Sequence, residues 1–91
     1  MTPVEFDPLA HWILSERVAL RPEPFGALAY HFGNRRLTFL KTPLLVTVVK
    51  SLAEHPSVRA ALQATDLSEP QQLQYERALA ALANAEVLTC A

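Results

Sequence analysis

The chain has 91 residues, 51% of them hydrophobic, with seven prolines, two glycines, one cysteine and a net charge of −1. That length predicts one domain over residues 1–91, since two cores this small would not stand alone. The lone Cys90 excludes an internal disulfide, no apolar run approaches the roughly 20 residues that cross a bilayer, and the N-terminus lacks the basic-then-apolar pattern of a signal peptide, so the expected location is cytoplasmic.

Asp7-Pro8 reads as a helix start, a capping side chain followed by proline at the first position. With Leu9, Trp12 and Ile13 at helical spacing, it predicts a short helix over residues 8–15. A first strand is expected over residues 17–21. Pro22 and Pro24 lack ladder donors and are expected to break it. A second strand, residues 27–32, alternates Leu28, Tyr30 and Phe32 with Ala27, Ala29 and His31. Gly33-Asn34 supplies the backbone freedom of a two-residue hairpin. A third strand then covers residues 35–41, with Leu37 and Phe39 on one face and Arg36, Thr38 and Leu40 on the other.

Thr42-Pro43 repeats the cap-plus-proline signal and opens a helix that is apolar on most sides and stopped by Pro56. A second helix is expected over residues 57–65. Ser68, with Gln71 three residues on, forms a capping box and opens a third helix to about Asn84. That helix carries a stripe of Tyr75, Leu79 and Leu82 and a more polar one of Leu73, Arg77, Ala80 and Asn84. Val87 and Leu88 are expected to fold back on the body, and residues 89–91 to fray. The fold class is α+β and winged-helix-like: a three-stranded antiparallel sheet (17–41), then three helices (βββααα, 43–88), after a short N-terminal helix.

Arg17, Arg21, Arg35, Arg36 and Lys41 against Glu23 make residues 17–41 net +4, whereas the segments on either side are acidic. A basic sheet attracts nucleic acid or an acidic peptide, and the same charges also keep a sheet face solvated. His11, His31 and His55 lie on different elements with no second ligand at metal spacing, so no metal or other cofactor is expected. No nucleophile has a base and an orienting group near it, and two isolated glycines cannot cradle a phosphate, so the chain reads as non-enzymatic.

Two binding surfaces remain. The second and third helices could form the helix-turn-helix of a small DNA-binding regulator, but Glu69, Glu76 and Glu86 would face the phosphates. In a three-strand meander the first and third strands are both edges, and the third is the candidate edge for an extended peptide. Placed beside the third helix, it would form a groove of Leu37 and Phe39 below and Leu73, Arg77 and Ala80 above; Leu37 and Phe39 serve equally well as core.

The run Val18-Ala19-Leu20-Arg21-Pro22-Glu23-Pro24-Phe25-Gly26-Ala27-Leu28-Ala29-Tyr30-His31-Phe32-Gly33-Asn34-Arg35-Arg36-Leu37 resembles the mycofactocin biosynthesis peptide chaperone family, as do Phe6-Asp7-Pro8 and Trp12 upstream. That family is similar to PqqD-like recognition elements of ribosomally made, modified peptides. The resemblance implies a chaperone that binds the leader of a short precursor peptide and presents it to a radical S-adenosylmethionine maturase, with neither nucleic acid nor membrane as partner. It places the leader as an added strand along Arg35, Arg36, Leu37, Thr38, Phe39, Leu40 and Lys41, beside Leu73, Arg77 and Ala80. The Arg21-Pro22-Glu23-Pro24-Phe25 bend reads either as a rigid turn with Phe25 buried or as a maturase-docking site through Arg21, Glu23 and Phe25.

Overall fold

The computed structural model describes residues 5–91. Residues 1–4, which both the single-domain expectation and the reading of the N-terminus include, lie outside the described residues. In chain order the elements are β1 (Trp12–Leu14), β2 (Val18–Glu23), β3 (Gly26–His31), β4 (Leu37–Leu40), α1 (Pro43–Ser51) with a 3-10 extension (Leu52–Glu54), α2 (Val58–Gln63), α3 (Glu69–Asn84) and β5 (Leu88–Cys90). The class is α+β with antiparallel sheets and three helices. Four strands, not three, precede the helices, and a fifth follows them.

The extra pair replaces the expected N-terminal helix. Asp7 does cap a turn: its Oδ1 accepts the Leu9 N–H at 2.9 Å, and its carbonyl accepts the Ala10 N–H and the Trp12 indole N–H, each at 3.0 Å. The turn stops there, because an eight-residue helix is marginal alone and the chain gains more by pairing. β1 runs antiparallel to β5, Trp12 opposite Cys90 and Leu14 opposite Leu88. Ser15 N–H to the Val87 carbonyl and Ala91 N–H to the His11 carbonyl, both 2.9 Å, extend the ladder at each end. Residues 89–91 are thus bonded rather than frayed. Trp12 enters the core and stacks obliquely on Phe6 at 5.2 Å, whereas Leu9 stays exposed.

The second sheet has the order β2-β3-β4. β2 continues through Pro22, which pairs with Ala27, and only Pro24 and Phe25 form the turn. The strand survives because Phe32 N–H donates to the Arg17 carbonyl at 2.8 Å. By antiparallel alternation Ala19, Arg21 and Glu23 then also face β3, and the nitrogen of Pro22 falls on the open side, where no ladder bond is lost.

The β3–β4 connection is longer than a Gly-Asn hairpin. Arg35 N–H donates to the His31 carbonyl at 2.8 Å, and His31 N–H to the Arg36 carbonyl at 3.0 Å, so four residues make the loop. The left-handed residue is Arg35 (φ 61°), not Gly33 or Asn34. The buried His31 holds the loop by accepting the Gly33 and Asn34 amides on Nδ1 at 2.9 and 3.1 Å. Asn34 binds Glu86 across the domain at 2.6 Å. A left-handed arginine costs about 1–2 kcal/mol, part of which glycine would return as chain entropy. Arg35→Gly is therefore expected to raise stability by about 0.5–1 kcal/mol in urea unfolding; an unchanged or lower midpoint contradicts this.

α1 packs on one face of this sheet, against β3 and β4; α3 flanks β4, and α2 packs on α1 and α3 behind them. Val18, Ala27, Ala29 and Leu40 supply its core side. Leu45, Val48, Val49 and Leu52 follow the i, i+3, i+4, i+7 pattern and form the buried stripe of α1, which is amphipathic rather than apolar all round: Leu44, Thr47 and Lys50 are exposed. The start signals at Thr42 and Ser68 hold: Thr42 accepts the Leu45 N–H at 3.0 Å, and the Ser68–Gln71 capping box is complete; Ser57, which the sequence reading did not single out, caps α2 by accepting the Ala60 N–H at 3.1 Å. The α1 helix proper ends at Ser51, and one 3-10 turn carries the chain to His55, whose N–H closes on the Leu52 carbonyl. α3 buries Leu79, Leu82 and Ala83.

Candidate functional site

β2 and β4 are the two edges of the three-stranded sheet, and their chemistry differs. On β2 the outward residues are Val18, Leu20 and Pro22. Val18 N–H is taken by the Ser15 carbonyl at 3.1 Å, and Pro22 has no donor. On β4 the Arg36 carbonyl faces β3, so by alternation Leu37 and Phe39 turn both N–H and C=O outward. None of these four groups has a partner among the described residues. β2 keeps a single free donor, at Leu20, between the occupied N–H of Val18 and the donorless Pro22, whereas β4 offers two in succession; β4 is therefore the edge more open to another strand.

Next to that edge lies a cavity of about 310 Å³ between β4 and α3. Thr38, Phe39 and Lys41 line it from the strand side, Thr42 and Leu45 at the start of α1, and Gln74, Tyr75, Ala78, Ala81 and Leu82 from α3. The Tyr75 hydroxyl and Thr42 Oγ1 are 2.9 Å apart, a polar tie between α3 and the N-cap of α1. Ala78 and Ala81 make room, since larger side chains there would fill the space between helix and strand.

The predicted residues divide accordingly. Thr38, Phe39 and Lys41 reach the cavity; Leu40 is fully buried opposite Ala27; Arg35 and Arg36 lie in the loop that feeds the edge. The structure does not bring Leu73, Arg77 or Ala80 into the cavity lining. They lie about 100° or more round α3 from Ala78, at the centre of the lining, because each residue advances the helix by that angle; Arg77 comes nearest, one turn before Ala81 at the margin of the cavity. The lining belongs to the flank of the Tyr75–Leu79–Leu82 stripe, which the sequence pattern marks only as core. Leu37 and Phe39 are not core. Both are nearly 60% exposed, on the sheet face away from the helices. Phe25 lies on that face too, 5.7 Å from Phe39 edge-to-face, so the turn does not bury it; Arg21 and Glu23 pair at 2.7 Å.

A larger, shallower cavity of about 660 Å³ lies between the β1–β5 pair and the β3–β4 loop. Its polar groups serve the fold: His31 Nδ1 is taken by two amides, and Asn34 by Glu86. Among the described residues, no three His, Cys, Asp or Glu side chains converge as a metal site would need. No helix there is long and apolar enough to cross a membrane.

Residues 11–89 match the peptide chaperone MftB family. The chain is 51% identical over 85 residues to the peptide chaperone MftB of Mycolicibacterium smegmatis, covering 93% of this chain and 83% of that protein. It is 49% identical to the protein of the same name from Mycobacterium ulcerans (91% and 76% covered) and 46% identical to that of Mycobacterium tuberculosis (92% and 77%). No solved structure matches.

Proposed function

The chain belongs to the peptide chaperone MftB family, and on that premise we propose that it binds the leader of a short, ribosomally made mycofactocin precursor by strand addition to β4 and presents it to a radical S-adenosylmethionine maturase. The observation that carries this reading is the asymmetry of the two sheet edges. β2 is blunted by Pro22, whereas β4 offers the free backbone groups of Leu37 and Phe39 beside an apolar cavity. Residues 35–41 form the receiving edge. Gln74, Tyr75, Ala78, Ala81 and Leu82 form the opposite wall, and Leu73, Arg77 and Ala80 lie farther round the same helix. The chain's own part is to hold an extended guest, and the chemistry on that guest belongs to the maturase.

Energetics require both halves of the site. Four hydrogen bonds to Leu37 and Phe39 would contribute about 1 kcal/mol each. Ordering a flexible leader costs about 2–5 kcal/mol. Micromolar binding needs roughly 8 kcal/mol net. The difference must come from apolar leader side chains, each worth about 1.5–3 kcal/mol when buried; the one or two that fit the cavity do not suffice, so others must pack along the sheet beside the edge. Arg35, Arg36 and Lys41 along the same edge favour an acidic leader.

The test is an NMR titration of the labelled full chain with precursor peptide and, separately, with a DNA duplex. Shifts along residues 35–41 and 74–82 with peptide alone are expected. Peptide shifts confined to β2 or the β1–β5 pair, or DNA shifts on α3, overturn the reading. Ala78→Phe fills the cavity from the half-buried side of α3. It is expected to weaken leader binding by about tenfold or more, roughly 1.4 kcal/mol, with unchanged helicity. Calorimetry showing wild-type affinity would remove the cavity from the binding site.

A further inference from the structure

The sheet has a second surface that strand addition does not use. Leu28, Tyr30, Leu37 and Phe39 point away from the helices, and Phe25 and Phe32 join them from the adjoining loops. Phe32, Leu37 and Phe39 are 58–59% exposed and Phe25 41%. Two cross-strand rows organise the face, Ala19–Tyr30–Leu37 and Arg21–Leu28–Phe39. No described element covers it. A contiguous apolar patch of this kind marks an interaction surface.

We infer that this outer sheet face is where the guest-modifying enzyme docks, through an apolar patch bordered by carboxylates. The inference rests on the strand-addition reading above. A guest strand added at β4 extends both rows by one position, since its alternate side chains would fall beside Leu37 and Phe39 on the same face. A protein seated there touches chaperone and guest together, as hand-over requires. Charge selects among occupants. Arg21, Glu23 and Lys41 border the patch; Arg21 and Glu23 pair at 2.7 Å, which leaves Lys41 as the unpaired charge and the border net +1. A second copy would bring like charges together, whereas an acidic rim complements them.

The experiment uses the full chain, purified maturase and precursor peptide. Phe25→Ser/Phe32→Ser changes turn and loop residues that belong neither to the β4 ladder nor to the cavity lining, although the Phe25 ring does touch Phe39, and Arg21→Glu reverses the rim charge. Calorimetry is expected to show the double variant losing about 30-fold or more in maturase affinity, and Arg21→Glu about tenfold, each with near-wild-type leader affinity and an unchanged circular dichroism spectrum. Maturase affinity that survives both changes in a folded, leader-binding protein overturns the inference and leaves strand addition standing. So does loss of leader binding in the double variant, which would make the face part of the guest site. A wild-type dimer in ultracentrifugation that the double variant abolishes assigns the face to a second copy, and overturns it as well. Failure of the wild-type chain to bind leader at all is a separate result and strikes the strand-addition reading itself.

Discussion

Leu37→Pro is expected to abolish leader binding while the domain stays folded. The N–H of Leu37 points away from β3, so proline there removes no bond of the existing ladder. It does remove a donor that the guest needs, and its ring occupies the space along the edge. The guest carbonyl left without a partner costs about 1–3 kcal/mol. With the steric block, the loss amounts to about 100-fold or more in affinity, roughly 2.7 kcal/mol. β2 already carries the same device in Pro22. Thr38→Pro provides the contrast, because the N–H of Thr38 faces β3 and its loss breaks the hairpin. Denaturation should separate the two variants clearly. A folded Leu37→Pro protein that binds leader as tightly as wild type would rule out pairing along β4.

Gly26→Ala is expected to produce the largest stability loss of any single methyl added to this chain. A Cβ at Gly26 would be driven into the Leu40 carbonyl oxygen, and would also meet the Thr42 backbone nitrogen and carbon at 3.1 Å. Every one of these neighbours is main chain and cannot swing aside. Leu40 is fully buried, and Thr42 is the N-cap of α1, so moving either disturbs the core or the helix start. The backbone at Gly26 (φ 157°) is also one that side chains rarely adopt. The cost should reach about 3 kcal/mol, the upper range for overpacking, or a fall of roughly 10 °C or more in melting temperature for a domain of this size. A variant melting within about 2 °C of wild type would mean that β3 and β4 approach less closely than described.

These two positions bear on the same strand pair from opposite sides. Gly26 lets β3 and the end of β4 close tightly, which fixes the register Ala27 opposite Leu40 and Leu28 opposite Phe39. That register turns the Leu37 and Phe39 backbone outward. A shift of one residue would exchange the exposed and bonded groups along the edge and rotate every side chain to the other face.

Local signals were legible from the residues alone. The caps at Thr42 and Ser68 start helices because each hydroxyl satisfies an otherwise orphaned amide within three residues, whatever the rest of the chain does. The alternation in β3 and the two edges of the meander also followed from spacing, as did the buried stripe of α3. What the pattern left undecided was every choice involving residues far apart in sequence. Asp7-Pro8 caps a turn in isolation, but β5, about 75 positions away, claims Trp12–Leu14 as a strand. Pro22 reads as a strand breaker until the pairing with β3 shows its nitrogen on the open side. Leu37 and Phe39 are as apolar as any core pair; only the packing of the helical layer, through α1, on the opposite face leaves them in solvent. The phase of α3 against β4 is likewise a packing outcome, so Ala78 and Ala81 rather than Arg77 and Ala80 came to line the cavity. Sequence by itself determined where the first and third helices begin and that the meander leaves two edge strands. Tertiary structure alone decided which edge keeps its backbone groups free and which flank of α3 lines the cavity beside it, because a face is defined by what packs against it.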